Sequence, residues 1–150
     1  MTRFVVDASV AVKWVVPEVH SDSAVRLLED GFSLAAPELI WAELGSVLWK
    51  KWRREEIPRE RVPVFLQALQ SFQIHTTSSE SLLDLAWEIA RDHRRSFYDS
   101  LYLALALQLQ CLLVTADSRF YNAISKADSQ MPILWVEDVP LGGPHPGRSW

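Results

Sequence analysis

Hydrophobic residues in this chain fall into short runs of two kinds, and the two kinds alternate. Five runs are continuous and rich in β-branched, aromatic or leucine side chains, and each predicts a strand buried on both faces. These strand runs cover residues 3–7, 32–36, 72–75, 111–115 and 133–136.

The segments between these runs have a helical spacing of apolar residues, every three or four positions. They cover residues 21–31, 37–54, 58–69, 79–95, 96–109 and 117–127. Gly31 is expected to cap the first of these helices, and Pro37 to open the second, where its missing N–H does no harm. The alternation predicts an α/β fold, a three-layer α/β/α sandwich with a mostly parallel central sheet.

Length and composition indicate one globular domain. The chain has 150 residues, of which 49% are hydrophobic and 23% charged, enough for a single sizeable core. We expect the domain to occupy residues 1–140 and residues 141–150, with Gly142-Gly143-Pro144 and Pro146-Gly147, to form a flexible tail. The apolar runs are too short to span a bilayer and no charged leader opens the chain, so we expect a cytoplasmic protein without a membrane partner.

Charge and cysteine content narrow the possible functions. The net charge is −4, from 15 basic and 19 acidic residues, so the overall field does not attract nucleic acid. A single cysteine excludes an internal disulfide, and four dispersed histidines argue against a structural zinc.

Two aspartates directly follow predicted strands. Asp7 follows the first strand and Asp117 the fourth, and the carboxyl ends of parallel strands border the crevice where open α/β sheets bind ligands. Each also precedes a predicted helix, where an aspartate is a routine N-cap. A cap and a ligand are compatible, so both roles stay open.

Two further acids interrupt apolar helical patterns. Glu43 lies between Leu39 and Val47 in the stripe expected to face the core, although a rotated helix or an arginine salt bridge would also explain it. Asp99 opens a helix that is apolar nearly all round, and Ser96 stands at capping-box spacing before it. Desolvating isolated carboxylates is costly, so the four acids together favour a shared hard metal ion that supports phosphodiester hydrolysis.

Four segments carry a resemblance to a known family. The chain resembles PIN-domain proteins, specifically the VapC-type ribonuclease toxins, at residues 5–10, 36–44, 98–106 and 113–120. The resemblance implies an endoribonuclease, the toxin of a toxin–antitoxin pair, that uses Mg²⁺ or Mn²⁺. It further implies an RNA substrate, a cognate antitoxin protein and a homodimer. The catalytic and metal-binding residues that it implies are Asp7, Glu43, Asp99 and Asp117, with Ser9 and Thr115 in support.

Two arginines precede one of the four acids by a few residues. Arg94 and Arg95, just before Asp99, are candidates for RNA binding, although cations at a helix end also offset the macrodipole.

A receiver-type phospho-acceptor domain would need paired acids after the first strand, which Val6-Asp7 does not provide. A non-catalytic PIN scaffold that binds RNA or protein is the other alternative.

Overall fold

The computed structural model describes residues 1–141 of the chain. Five strands form one sheet in the order β3-β2-β1-β4-β5, and every neighbouring pair is parallel. The strands are β1 (Thr2–Val6), β2 (Phe32–Pro37), β3 (Ile74–Thr77), β4 (Leu112–Thr115) and β5 (Ile133–Trp135).

Helices connect the strands. They are α1 (Ala8–Ala11), α2 (Ser21–Val25), α3 (Ile40–Arg53), α4 (Arg61–Ser71), α5 (Leu83–His93), α6 (Phe97–Leu109) and α7 (Ser118–Ala127). Short 3₁₀ turns cover Val12–Trp14, Arg26–Leu28, Ser79–Leu82 and Val136–Asp138. An all-parallel sheet needs helical crossovers between its strands, and the predicted three-layer α/β/α class is confirmed.

The middle of the fold consists of β1 and α6. The side chains of Phe4, Val5 and Val6 are buried, as are residues 100–106 of α6. Helix α6 packs against β1, β2 and β4. This burial on all sides agrees with the uniformly apolar pattern that the sequence has there.

Two predicted helix boundaries are wrong. Pro37 ends β2 instead of opening α3, because it pairs with Thr77 in the sheet and Glu38 N donates to Thr77 O at 2.8 Å. Proline is tolerated at a strand end, where its missing N–H removes no ladder bond. The helix predicted over 21–31 leaves α-geometry after Val25, and Gly31 does not cap it. Gly31 instead adopts φ 98° at the start of β2, and its carbonyl accepts a 2.9 Å bond from Thr2 N.

Other features of the described residues bear on the remaining expectations. The third strand lies at 74–77, two residues later than predicted. Within residues 1–141, no helix is both long and apolar enough to cross a bilayer. The tail expected at 141–150 falls, apart from Leu141, outside the described residues.

Candidate functional site

Asp7 lies where β1 ends and caps α1. Its Oδ1 accepts bonds from Val10 N at 3.2 Å and Ser9 Oγ at 2.5 Å, and its Oδ2 accepts from Thr115 Oγ1 at 2.6 Å. The side chain is buried, with the residue 7% exposed. Asp7 is therefore an N-cap, as its position predicted, but a hydroxyl from a distant strand also holds it.

Ser9 and Thr115 link the ends of β1 and β4. Besides its bond to Asp7, Ser9 Oγ accepts from Ala116 N at 2.9 Å, and Thr115 Oγ1 accepts from Asp117 N at 3.1 Å. Thr115 is fully buried. The two residues predicted to support the site thus form the hydrogen-bonded base under Asp7.

Burial dominates the electrostatics of Asp7. Desolvation raises its pKa from 3.8 to about 6, against the hydrogen bonds from Ser9, Thr115 and Val10, and the Glu43 carboxylate adds to the rise. A carboxyl group with a pKa of about 6 holds its proton only weakly at neutral pH. A cation that binds the carboxylate can therefore displace that proton.

Glu43 projects from the first turn of α3 and is half-buried. Its Oε1 is buried and has no hydrogen-bond partner in the described part of the chain. Burial raises the pKa of Glu43, and the nearby Asp99 carboxylate raises it further. The arginine salt bridge considered from the sequence is not formed among residues 1–141.

Asp99 lies at the N-terminus of α6. Its backbone N–H donates to Ser96 Oγ at 3.0 Å, which gives the predicted cap. Its Oδ2 accepts a 3.0 Å ion-pair bond from Arg95 Nη2, and the Asp99 side chain is 31% exposed. Asp99 therefore already has one cationic neighbour from its own chain.

Asp117 is engaged differently from the other three acids. It is exposed, and its Oδ1 accepts bonds from Arg119 N at 3.0 Å and Phe120 N at 3.2 Å, so its carboxylate caps α7. The Glu43 carboxylate raises the pKa of Asp7 and the Asp99 carboxylate raises the pKa of Glu43, and Asp117 adjoins Asp7 through its backbone bond to Thr115. No three acidic, histidine or cysteine side chains within residues 1–141 converge closely enough to enclose an ion.

Tyr102 is a residue at this site that the sequence pattern did not single out. It is 2% exposed, and its hydroxyl has no hydrogen-bond partner in the described residues. Burial raises its pKa, and the carboxylates of Glu43, Asp7 and Asp99 raise it further. Its position one helical turn after Asp99 was the available signal, because residues three apart share a helix face.

Comparison with known proteins agrees with this architecture. The PIN domain family model matches residues 4–125, which is most of the chain. The chain belongs to the PIN-domain family.

Curated relatives of this PIN domain are named as ribonucleases. Ribonuclease VapC1 of Mycobacterium tuberculosis is 35% identical over 125 residues, covering 82% of this chain and 92% of the relative. Ribonuclease VapC3 of Pyrobaculum aerophilum is 31% identical over 117 residues, covering 77% and 89%. The resemblance to VapC proteins is thereby confirmed.

Solved structures support the fold of this PIN domain. The crystal structure of PAE2754 from Pyrobaculum aerophilum matches with a TM-score of 0.64 at 23% identity, covering 91% of this chain and 85% of that one. Mycobacterium tuberculosis VapC20, described as a toxin that cleaves the sarcin–ricin loop, matches with a TM-score of 0.58 at 17% identity, covering 80% and 94%.

The two candidate RNA-binding arginines of this PIN domain are placed differently. Arg94 is exposed and ends α5 in the left-handed region at φ 51°. Arg95 pairs with Asp99, its guanidinium carbon lies 5.4 Å from the centre of the Phe120 ring, and its buried Nε has no partner among the described residues. Arg95 is thus part of the acidic site itself, whereas Arg94 faces solvent.

Proposed function

We propose that this PIN domain is an endoribonuclease, the toxin of a toxin–antitoxin pair, that hydrolyses RNA phosphodiester bonds with Mg²⁺ or Mn²⁺. The observation that carries the proposal is the group of Asp7, Glu43 and Asp99 at the carboxyl edge of the sheet, in a chain whose curated relatives are named VapC ribonucleases. VapC20 is a toxin that cleaves the sarcin–ricin loop, and we propose that the substrate of this PIN domain is RNA.

The chemistry of the donor set suits a hard divalent cation, although no three of these side chains converge closely enough to enclose one within residues 1–141. All candidate ligands are carboxylate oxygens, which Mg²⁺ prefers. Glu43 Oε1 is buried without a partner and Asp7 is destabilised in its ionised form by burial, so a cation would relieve both. Asp7 and Asp99 are the first choices as ligands, with Glu43 beside them. Asp117 would act through a water molecule or after leaving its cap on α7.

The residues of the chain have separable tasks in this proposal. When bound, a divalent ion acidifies a water molecule and offsets the charge that develops on the scissile phosphate. Ser9 and Thr115 hold the Asp7 carboxylate in one orientation with bonds of 2.5 and 2.6 Å. Glu43 orients the attacking water and, as a carboxylate, accepts its proton, because burial raises its pKa and so makes the carboxylate a stronger base.

The proposal also includes the binding partners of this PIN domain and its location in the cell. The substrate is RNA, an antitoxin protein covers the acidic cleft, and the active species is a homodimer in the cytoplasm. Arg94 and Arg95 contact phosphates of the RNA beside the site. Because the chain has a net charge of −4, these local cations and the bound ion must supply the attraction for a polyanion.

Cleavage of total RNA by purified protein tests the proposal. We expect cleavage with Mg²⁺ or Mn²⁺, none in EDTA, and loss of at least about 100-fold in Asp7→Asn and Asp99→Asn. Asp22→Asn, an exposed acid on α2, is the matched control and should cleave normally. Undiminished cleavage by both folded site variants, or cleavage in EDTA, would refute the proposal.

A non-catalytic PIN scaffold is the second candidate. It is favoured by the engagement of Asp99 with Arg95 and of Asp117 with the α7 backbone. Calorimetric titration with Mn²⁺ separates the two cases. Binding that Asp7→Asn abolishes supports the nuclease, and the absence of specific binding by the unaltered protein supports the scaffold.

A further inference from the structure

Two unpaired polar groups are buried beside each other in the acidic site. The Tyr102 hydroxyl and Glu43 Oε1 both lack hydrogen-bond partners within residues 1–141. The phenol lowers the pKa of Glu43 and the carboxylate raises the pKa of Tyr102, as a hydrogen bond between them would, but the two groups miss strict hydrogen-bond geometry. One is a donor and the other an acceptor, so each could satisfy the other after a small side-chain adjustment.

Stability alone does not explain this hydroxyl. Tyr102 is 2% exposed on a helix whose surrounding positions, residues 100–106, are all buried. A buried polar atom without a partner costs about 1–3 kcal/mol, and a phenylalanine would fill the same volume without that penalty. The hydroxyl is therefore explained better by the site that it faces than by the core that surrounds it.

The phenol is suited to act as a donor. A phenol is protonated at neutral pH, so the Tyr102 hydroxyl has a proton to donate. Asp99 and Tyr102 lie three residues apart on α6, so they share one face of the helix. Glu43, in the first turn of α3, is near this face, because it affects the pKa of Tyr102 and Asp99 affects its own. Tyr102 thus adjoins the carboxylates from α6, whereas Ser9 and Thr115 bond Asp7 from the ends of β1 and β4.

We propose that Tyr102 is a positioning residue, whose hydroxyl donates a hydrogen bond to the Glu43 carboxylate in the working enzyme and keeps it directed at the reaction centre. This inference rests on the proposed nuclease function and deepens it. It assigns to α6 a second contribution besides Asp99. Tyr102 contacts neither ion nor RNA, and it acts through Glu43.

Tyr102→Phe removes the hydroxyl and keeps the ring. We expect kcat for RNA cleavage, and the affinity for Mn²⁺ measured by calorimetry, to fall by about 10–100-fold, the usual effect of losing a partner that orients a metal ligand. KM for RNA should stay within about twofold, because substrate binding is not the step affected. Tyr121→Phe, a half-buried tyrosine of α7 that packs on Trp135, is the matched control and should leave all three quantities unchanged.

Thermal unfolding in EDTA separates positioning from structure. We expect Tyr102→Phe to unfold at the same temperature as the unaltered protein or higher, since an unsatisfied polar atom is removed. A fall of more than about 5 °C would correspond to a lost stabilising contact, mark the hydroxyl as structural and overturn the proposal.

A double-mutant cycle tests whether Tyr102 acts through Glu43. If it does, Mn²⁺ affinity in Tyr102→Phe/Glu43→Ala should equal that of Glu43→Ala alone, because Glu43→Ala removes the oxygen that accepts the Tyr102 hydrogen bond and the second change has nothing left to disturb. Additive losses would overturn the proposal. Its failure is distinguishable from failure of the nuclease function. Unaltered protein that neither cleaves RNA nor binds Mn²⁺ refutes both, whereas full activity and affinity in Tyr102→Phe refute the positioning role alone.

Discussion

The burial of Asp7 predicts that an acid of the candidate site destabilises the metal-free protein. Its pKa rises from 3.8 to about 6 on folding, chiefly through desolvation. The folded protein therefore binds this proton more tightly than the unfolded chain does. Stability should fall as pH rises from about 4 to about 6 and stay low above that range. Asp7→Asn removes the titration.

The size of the effect follows from the pKa values. A pKa difference of one is worth about 1.4 kcal/mol, so a change from 3.8 to about 6 corresponds to about 3 kcal/mol. The residue is only 7% exposed, and solvent screening therefore removes little of this value. From pH 4 to pH 8, the free energy of unfolding of metal-free Asp7→Asn should rise by about 2–3 kcal/mol relative to that of the unaltered protein.

Urea unfolding in EDTA, followed by fluorescence of the seven tryptophans, measures this gain. The relevant quantity is the free energy of unfolding of Asp7→Asn minus that of the unaltered protein, as a function of pH. Asp22→Asn serves as the control, and its difference should be flat. Saturating Mg²⁺ at pH 8 should narrow the gap, because an ion that binds the ionised carboxylate stabilises the folded unaltered protein. A flat difference for Asp7→Asn, or a variant that is less stable at pH 8 than at pH 4 relative to the unaltered protein, would refute this reasoning.

Three further substitutions test the support and packing of the site, each by urea unfolding. Thr115→Val keeps the shape but leaves two bonded groups unpaired, so it should lose about 2–3 kcal/mol in EDTA at pH 8; an unchanged value would contradict the role of this hydroxyl. Glu18→Gln disrupts bonds to two lysines that lower the Glu18 pKa, and it should lose about 1 kcal/mol above pH 5. That loss should disappear as pH falls through the lowered pKa, and a loss that persists in acid would count against it. Leu103→Ala leaves a cavity in a fully buried position and should lose about 2–5 kcal/mol, whereas exposed Leu107→Ala should lose less than about 1 kcal/mol; equal losses would contradict the packing described for α6.

The order of strands and helices could be predicted because local patterns encode it. Continuous β-rich runs such as Phe4–Val6 and the uniformly apolar stretch of α6 describe elements that are buried whatever surrounds them. Boundaries were less predictable where tertiary pairing decides them. Pro37 is acceptable both at a helix start and at a strand end, and only its pairing with Thr77 selects the second.

The candidate site, too, could be predicted only in part from the sequence. Strand ends placed Asp7 and Asp117 at one edge of the sheet, but the sequence does not encode which hydroxyls or backbone groups each carboxylate bonds. The capping of α7 by Asp117 was foreseen as an alternative role, and the unpaired state of Tyr102 was not foreseen. A tyrosine within an apolar helix has the pattern of a core residue. Only the structure shows that its hydroxyl is buried without a hydrogen-bond partner among residues 1–141.

The sheet order also has a consequence for synthesis on the ribosome. The first of the five described strands in sequence order, β1, is central, and Thr115, which bonds Asp7, lies 108 residues after Asp7. At about 5–20 residues per second, roughly 5 to 20 seconds of translation separate the two. In a nascent chain, Asp7 therefore lacks its bond from Thr115 until residue 115 has been made. A partner protein that recognises the assembled carboxyl edge of the sheet would have no target before that time. There would also be no assembled site for such a partner to inhibit.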